Sequence, residues 1–187
     1  MNFKIFSFAV ATSALIVLAG CSTPAPPYAV SIPNIQTLKN SNAAPVSVGE
    51  VTAQPSANND SIGVRANSMN SPKGTFAKYL QDALSQELAD AKLLDPKSDI
   101  RVTAVLTKND ISAAGFITNS AIIAARFTVK RGDKVTFDKV KEATTQWDSN
   151  FMGAIAIPRA IQNYPTVVTA LLKQLYEDKE FSDAIKK

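Results

Sequence analysis

The sequence predicts an α+β two-layer sandwich, a mostly antiparallel sheet of about five strands covered on one face by two amphipathic helices. Three observations predict it. Residues 75–94 place Phe76, Leu80, Ala83, Leu84, Leu88 and Ala91 at steps of three and four, with Lys78, Gln81, Asp82, Ser85, Gln86 and Asp90 on the other side. Residues 99–110 alternate instead: Ile100, Val102, Ala104 and Leu106 point one way, Arg101, Thr103, Val105 and Thr107 the other. Strand-like runs also follow one another in groups of two and three, in the order β-β-α-β-β-β-α.

The chain begins with one charge, Lys4, and an apolar run from Ile5 to Val17 broken only by Ser7, Thr12 and Ser13, ending in Ala19 and Gly20. A charged start, a short apolar core and small residues describe a secretory signal over residues 1–20, too short for a spanning helix. The only cysteine, Cys21, follows directly. An exported chain with one thiol forms no internal disulfide, so that cysteine calls for another explanation. Leu18-Ala19-Gly20-Cys21 resembles the lipobox of bacterial lipoproteins. The resemblance implies a diacylglyceryl thioether on Cys21, cleavage before it, acylation of the new amine, and attachment to a membrane through that lipid. Ser22 stands where an aspartate marks inner-membrane retention in enterobacteria, so the resemblance implies the outer membrane, facing the periplasm.

Residues 21–45 are rich in Pro, Ser and Asn, with prolines at 24, 26, 27, 33 and 45, and are expected to form an extended tether. Within it, Tyr28 to Ile35 is apolar enough to dock onto something. A single domain is expected over 46–187. VSVGEVTAQ (46–54) and SIGVRAN (61–67) are β-prone and flank the turn-rich PSANND, which predicts a hairpin or two neighbouring strands. Thr75 or Ser71 caps the first helix and Asp95-Pro96 ends it. After residues 99–110, SAIIAARFTVK puts Ile123, Ala125, Phe127 and Val129 on one face, and RGDK turns the chain back through VTFDKVKEATTQW as a hairpin. Pro158 and Pro165 are expected to break any single long helix, leaving a loop first and then a helix from Pro165 carrying Val168, Leu171, Leu172, Leu175 and Tyr176.

The absence of histidine removes Ser-His-Asp and Cys-His devices and, with Cys21 spent, the usual zinc site. A net charge of +4 with both signs interspersed gives no basis for nucleic-acid binding. No cofactor or metal is expected. RGD at 131–133 reads as hairpin turn chemistry rather than adhesion. Asp138 and Glu142 share a strand face but lie roughly 12 Å or more apart, beyond the about 5–9.5 Å of either glycosidase geometry.

Two segments are candidate partner surfaces. WDSNFMGAIAI (147–157) gathers Trp147, Phe151, Met152 and Ile155, with Tyr164 nearby, residue types favoured where partners dock. The loop 109–120 offers Phe116 and Ile117 beside Gly115 as an apolar tip. The competing reading has Trp147 ending a core strand while Phe151 and Ile155 cover the sheet edge.

The layout of lipobox, proline-rich tether, helix after two strands, three-strand run and C-terminal helix ending in DKEFSDAIKK is similar to that of small outer-membrane lipoproteins of the YajG type. No functional residue is carried over from them. The expected function is a non-enzymatic, lipid-anchored binding or scaffolding module for an envelope complex or the cell wall. The alternative is a lipid or small-ligand carrier accessory to envelope transport, with Ala104, Ala121, Ala124 and Ala125 leaving room between sheet and helices.

Overall fold

The computed structural model describes residues 22–115 and 117–187. The signal segment, Cys21 and Phe116 lie outside the described residues. The elements are β1 (Ser22–Pro24), α1 (Ile32–Asn40), β2 (Ser47–Ala53), β3 (Ser61–Val64), β4 (Asn67–Asn70), α2 (Phe76–Asp90), β5 (Ile100–Ser112), β6 (Thr118–Arg131), β7 (Lys134–Asp148), α3 (Gly153–Tyr176) and α4 (Lys179–Ala184).

The α+β class holds, but the strands divide into two mixed sheets, β2-β5-β6-β7 and β1-β4-β3. The long meander follows the alternation in the sequence. Ile100, Val102, Ala104 and Leu106 of β5, and Ile123, Ala125, Phe127 and Val129 of β6, are buried on one face. The β6–β7 hairpin closes at Gly132, whose φ of +56° is the left-handed conformation glycine adopts without penalty. The predicted pairing of residues 46–54 with 61–67 is not found. Strand β2 instead pairs parallel with β5 (Ser47↔Arg101, Val51↔Ala104), while β3 pairs with β4 in the other sheet. A parallel neighbour needs a long crossover, which the β3–β4 hairpin and α2 supply.

Helix α2 starts where Thr75 accepts from the Lys78 N–H at 3.2 Å. It ends before the predicted Asp95-Pro96, in a Schellman turn in which Lys92 takes φ +61° and Leu93 N–H donates to Leu88 O at 2.8 Å. Helix α3 departs further from expectation, running unbroken from Gly153 to Tyr176 with Pro158 and Pro165 inside it. Each proline forfeits one main-chain bond. Burial of Ile161, Tyr164, Val168, Leu171 and Leu175 along one stripe offsets that cost and holds the helix against the sheet.

Residues 22–45 also differ from the expected tether. Strand β1 pairs parallel with β4, α1 forms behind the Ser31 cap, and Ala25, Tyr28, Ile35 and Leu38 are buried. What holds this segment is polar. Glu87, on the inward face of α2 and fully buried, accepts hydrogen bonds from the Tyr28 hydroxyl (2.6 Å), the Ser31 N–H (3.0 Å) and the Asn34 amide (3.2 Å). Burial pushes the Glu87 carboxyl above its ordinary range, although these bonds pull it down.

Replacing Glu87 by Ala strands three donors and is expected to cost about 2–4 kcal/mol. Urea denaturation measures that loss, and proteolysis within Ile32–Asn40 measures the release of the segment. A carboxyl raised in the folded state binds more protons there than in the unfolded chain. Its contribution is therefore greatest below the unfolded value of about 4.3 and declines as pH rises through the folded value. In Glu87→Gln that decline should flatten.

Candidate functional site

Strands β3 and β4 are joined by the turn Arg65-Ala66, in which Arg65 takes φ +56°. Its guanidinium reaches across to two other loops. Nε donates to Ala113 O at 2.7 Å, Nη1 to Phe151 O at 3.2 Å, and Nη2 to Asn150 O at 2.8 Å and Gly115 O at 3.4 Å. The loops also bind each other: Ser149 Oγ donates to Gly115 O at 2.5 Å and Ser149 N–H to Ile117 O at 2.7 Å. Gly115 is required here by space, since a β-carbon would stand 1.9 Å from Thr118 O. Asn150 Oδ1 accepts from Met152 N–H at 2.8 Å, fixing the approach to α3.

This bracing holds apolar side chains in solvent. Ile117 is 82% exposed, Phe151 74%, Met152 50% and Ile155 38%. Each forgoes part of the roughly 1.5–3 kcal/mol that full burial provides. Beside them, a groove of about 290 Å³ runs between β1 and the first turns of α3, lined by Thr23, Pro24, Asn67, Gly153, Ala154, Ile157, Pro158, Ile161 and Gln162. Asn119 and Trp147 face each other in the β6–β7 register, and the Asn119 amide and the Trp147 Nε1 are buried with no hydrogen-bond partner among the described residues.

The structure thus brings together Phe151, Met152, Ile155 and Ile117, and leaves out two of the predicted residues. Trp147 is half-buried and packs against the core. Tyr164 is fully buried, donates to Asn109 Oδ1 at 3.0 Å, and has its ring 5.0 Å from Phe76 and 5.6 Å from Tyr79. Because α3 continues through Pro165, Tyr164 falls mid-helix on the inward stripe rather than in a surface loop. Phe116 is outside the described residues. Arg65 was missed, and no local signal marks it, since its partners lie 48 to 86 residues away.

The other sequence candidates have structural partners. Asp138 is held by both arms of Arg126, at 2.7 and 2.5 Å, and this guanidinium keeps the carboxyl below its usual range. Glu142 lies 3.8 Å from Lys108. In the RGD turn, Arg131 donates to Lys186 O and Gly132 N–H to Asp99 O. Ala104, Ala121, Ala124 and Ala125 are buried and do not line the groove. Among the described residues no cluster of Cys, Asp and Glu is suited to a metal ion, and no helix is long and apolar enough to cross a membrane.

No protein-family model matches the sequence, and no curated protein matches it. The fold does have solved counterparts. The crystal structure of protein XCC0632 from Xanthomonas campestris, described under the family model DUF330, superposes with a TM-score of 0.57 at 11% identity, over 87% of this chain and 96% of that one. An uncharacterized protein aligns over 81% of this chain and 97% of its own at a TM-score of 0.42 and 11% identity, too distant to carry an argument. At such identity the first likeness establishes the fold alone.

Arg65→Ala should cost about 1–3 kcal/mol and speed amide hydrogen exchange in 113–119 and 149–153, leaving β5–β7 centres protected. Arg65→Lys should recover little of this, because one ammonium cannot span carbonyls of two loops.

Proposed function

We propose that this chain is a lipid-anchored, non-enzymatic module of the cell envelope. Cys21 carries the lipid in the outer membrane, and the domain faces the periplasm as a scaffold for an envelope complex or the cell wall. One observation supports this reading above the others: the residue after the lipobox cysteine is already in β1, paired with Ser68. Anchor and domain would share one end of the molecule with no spacer between them, so the lipid would fix the orientation of the domain as well as its location. The face of the four-stranded sheet that carries Arg101, Arg126, Asp138 and Glu142 would remain open to partners.

Intact-mass measurement of the chain extracted from membranes should give residues 21–187 plus a diacylglyceryl thioether and an amide-linked acyl chain, and Cys21→Ser should lose both additions. Recovery of an unmodified chain from the membrane fraction would overturn the anchor.

A further inference from the structure

We propose that the Arg65-braced end rests on the bilayer itself, with Ile117, Phe151, Met152 and Ile155 at the boundary between headgroups and acyl chains. The inference rests on Cys21 carrying the lipid, and it names what the exposed apolar surface meets.

Topology carries the first step. Strand β1 runs parallel to β4, with Ser22 opposite Ser68. Strand β4 begins at Asn67, directly after the Arg65-Ala66 turn. The start of β1 and the turn that bears Arg65 are therefore at the same end of the three-stranded sheet. Packing carries the second step. Thr23 and Pro24 share a groove with Gly153, Ala154 and Ile157, so β1 lies against the first turns of α3, immediately after Met152. Where the chain leaves for Cys21 and where the apolar side chains stand exposed are one region.

Reach carries the third. One residue spans at most about 3.6 Å, so a lipid on Cys21 leaves Ser22 a few ångströms from the interface. With Ser22 held in a sheet, the domain cannot stand off from the membrane by tens of ångströms as a free tether would allow. The surface beside β1 has to meet headgroups, and that surface is apolar. Its residues come from two loops and a helix start, projecting outward as interfacial anchors do, to a depth of about 5–10 Å. A surface already occupied by the bilayer is not the one on which a protein partner would be recruited.

The test uses the full lipidated chain reconstituted in phosphatidylethanolamine/phosphatidylglycerol vesicles with brominated acyl chains. The sole tryptophan is removed as Trp147→Phe and a reporter placed as Phe151→Trp. Emission should shift to the blue and fall roughly twofold or more against non-brominated vesicles, as a side chain in the acyl boundary would. A reporter at Lys97→Trp, in the exposed turn that precedes β5 at its far end, should remain unquenched and open to iodide. Ile117→Trp is a second tip reporter if Phe151→Trp fails to fold. A tip reporter open to iodide and untouched by bromine, on protein whose mass shows the Cys21 lipid, overturns the inference and leaves the anchor standing. A reporter shielded from both quenchers places a protein or a second copy there and also overturns it. Absence of the lipid mass removes the anchor, and the bilayer contact falls with it.

Discussion

The guanidinium of Arg65 reaches from one sheet to carbonyls of two loops that belong to the other, and the geometry of that whole end of the molecule depends on it. Loop carbonyls withdrawn from water need donors. A planar fork with five N–H groups on one rigid head can serve several of them at once, where an ammonium could not. Once Ala113, Gly115, Asn150 and Phe151 are held by their main-chain oxygens, the direction of their neighbours is settled too. Ile117, Phe151 and Met152 are exposed because the backbone beneath them is fixed, and the loops cannot fold inward to bury them.

Glu87 plays the complementary part on the buried face of α2. A buried carboxylate is costly unless its lone pairs are occupied. Here the occupants, Tyr28, Ser31 and Asn34, come from the proline-rich segment. The segment has too few apolar residues to fold by itself, yet it contributes Tyr28, Ile35 and Leu38 to the core once those donors are engaged. The three-residue strand β1 then continues this docked segment up to Ser22. One buried carboxyl group thereby turns a would-be spacer into part of the domain.

How much of this was legible follows the range of the forces involved. Helix α2 and the β5–β7 meander were readable because periodicity, a capping threonine and a glycine turn are local and agree with the tertiary structure. The continuity of α3 was not, since two prolines argue locally for a break and only burial of Tyr164 and its neighbours overrides them. Glu87 did leave a trace. It sits seven residues after Leu80 and three after Leu84, on the apolar stripe, where an acidic residue needs a partner from elsewhere in the chain. Arg65 left none, because neither its turn nor its charge distinguishes it from a solvated hairpin residue. Phe151, Met152 and Ile155 were singled out by residue type alone, and they are exposed. The type that suggested Tyr164 misled, because an aromatic side chain serves a core as well as a surface.

Exposed apolar residues are treated in two ways in this fold. The edge strand β7 exposes Val135 at 48% and Val140 at 57%, but each stands singly. Lys134, Asp138, Lys139 and Lys141 flank them, Lys139 and Lys141 are drawn to Asp178 at the cap of α4, and a register shift at Val129/Lys130 bends the hairpin. Charges and irregular register are what keep an edge from pairing with another chain. At the Arg65 end no such interruption separates Phe151 from Met152, and Ile117 and Ile155 flank them from a neighbouring loop and the next turn of α3. The nearby arginine turns its donors inward to the backbone instead of outward to solvent. A sequence that spaces lysines along one exposed strand and groups apolar side chains on the braced loops where that strand ends treats the two surfaces differently. The grouped one stays in solvent because its backbone is braced by Arg65, with no charge standing between its apolar side chains.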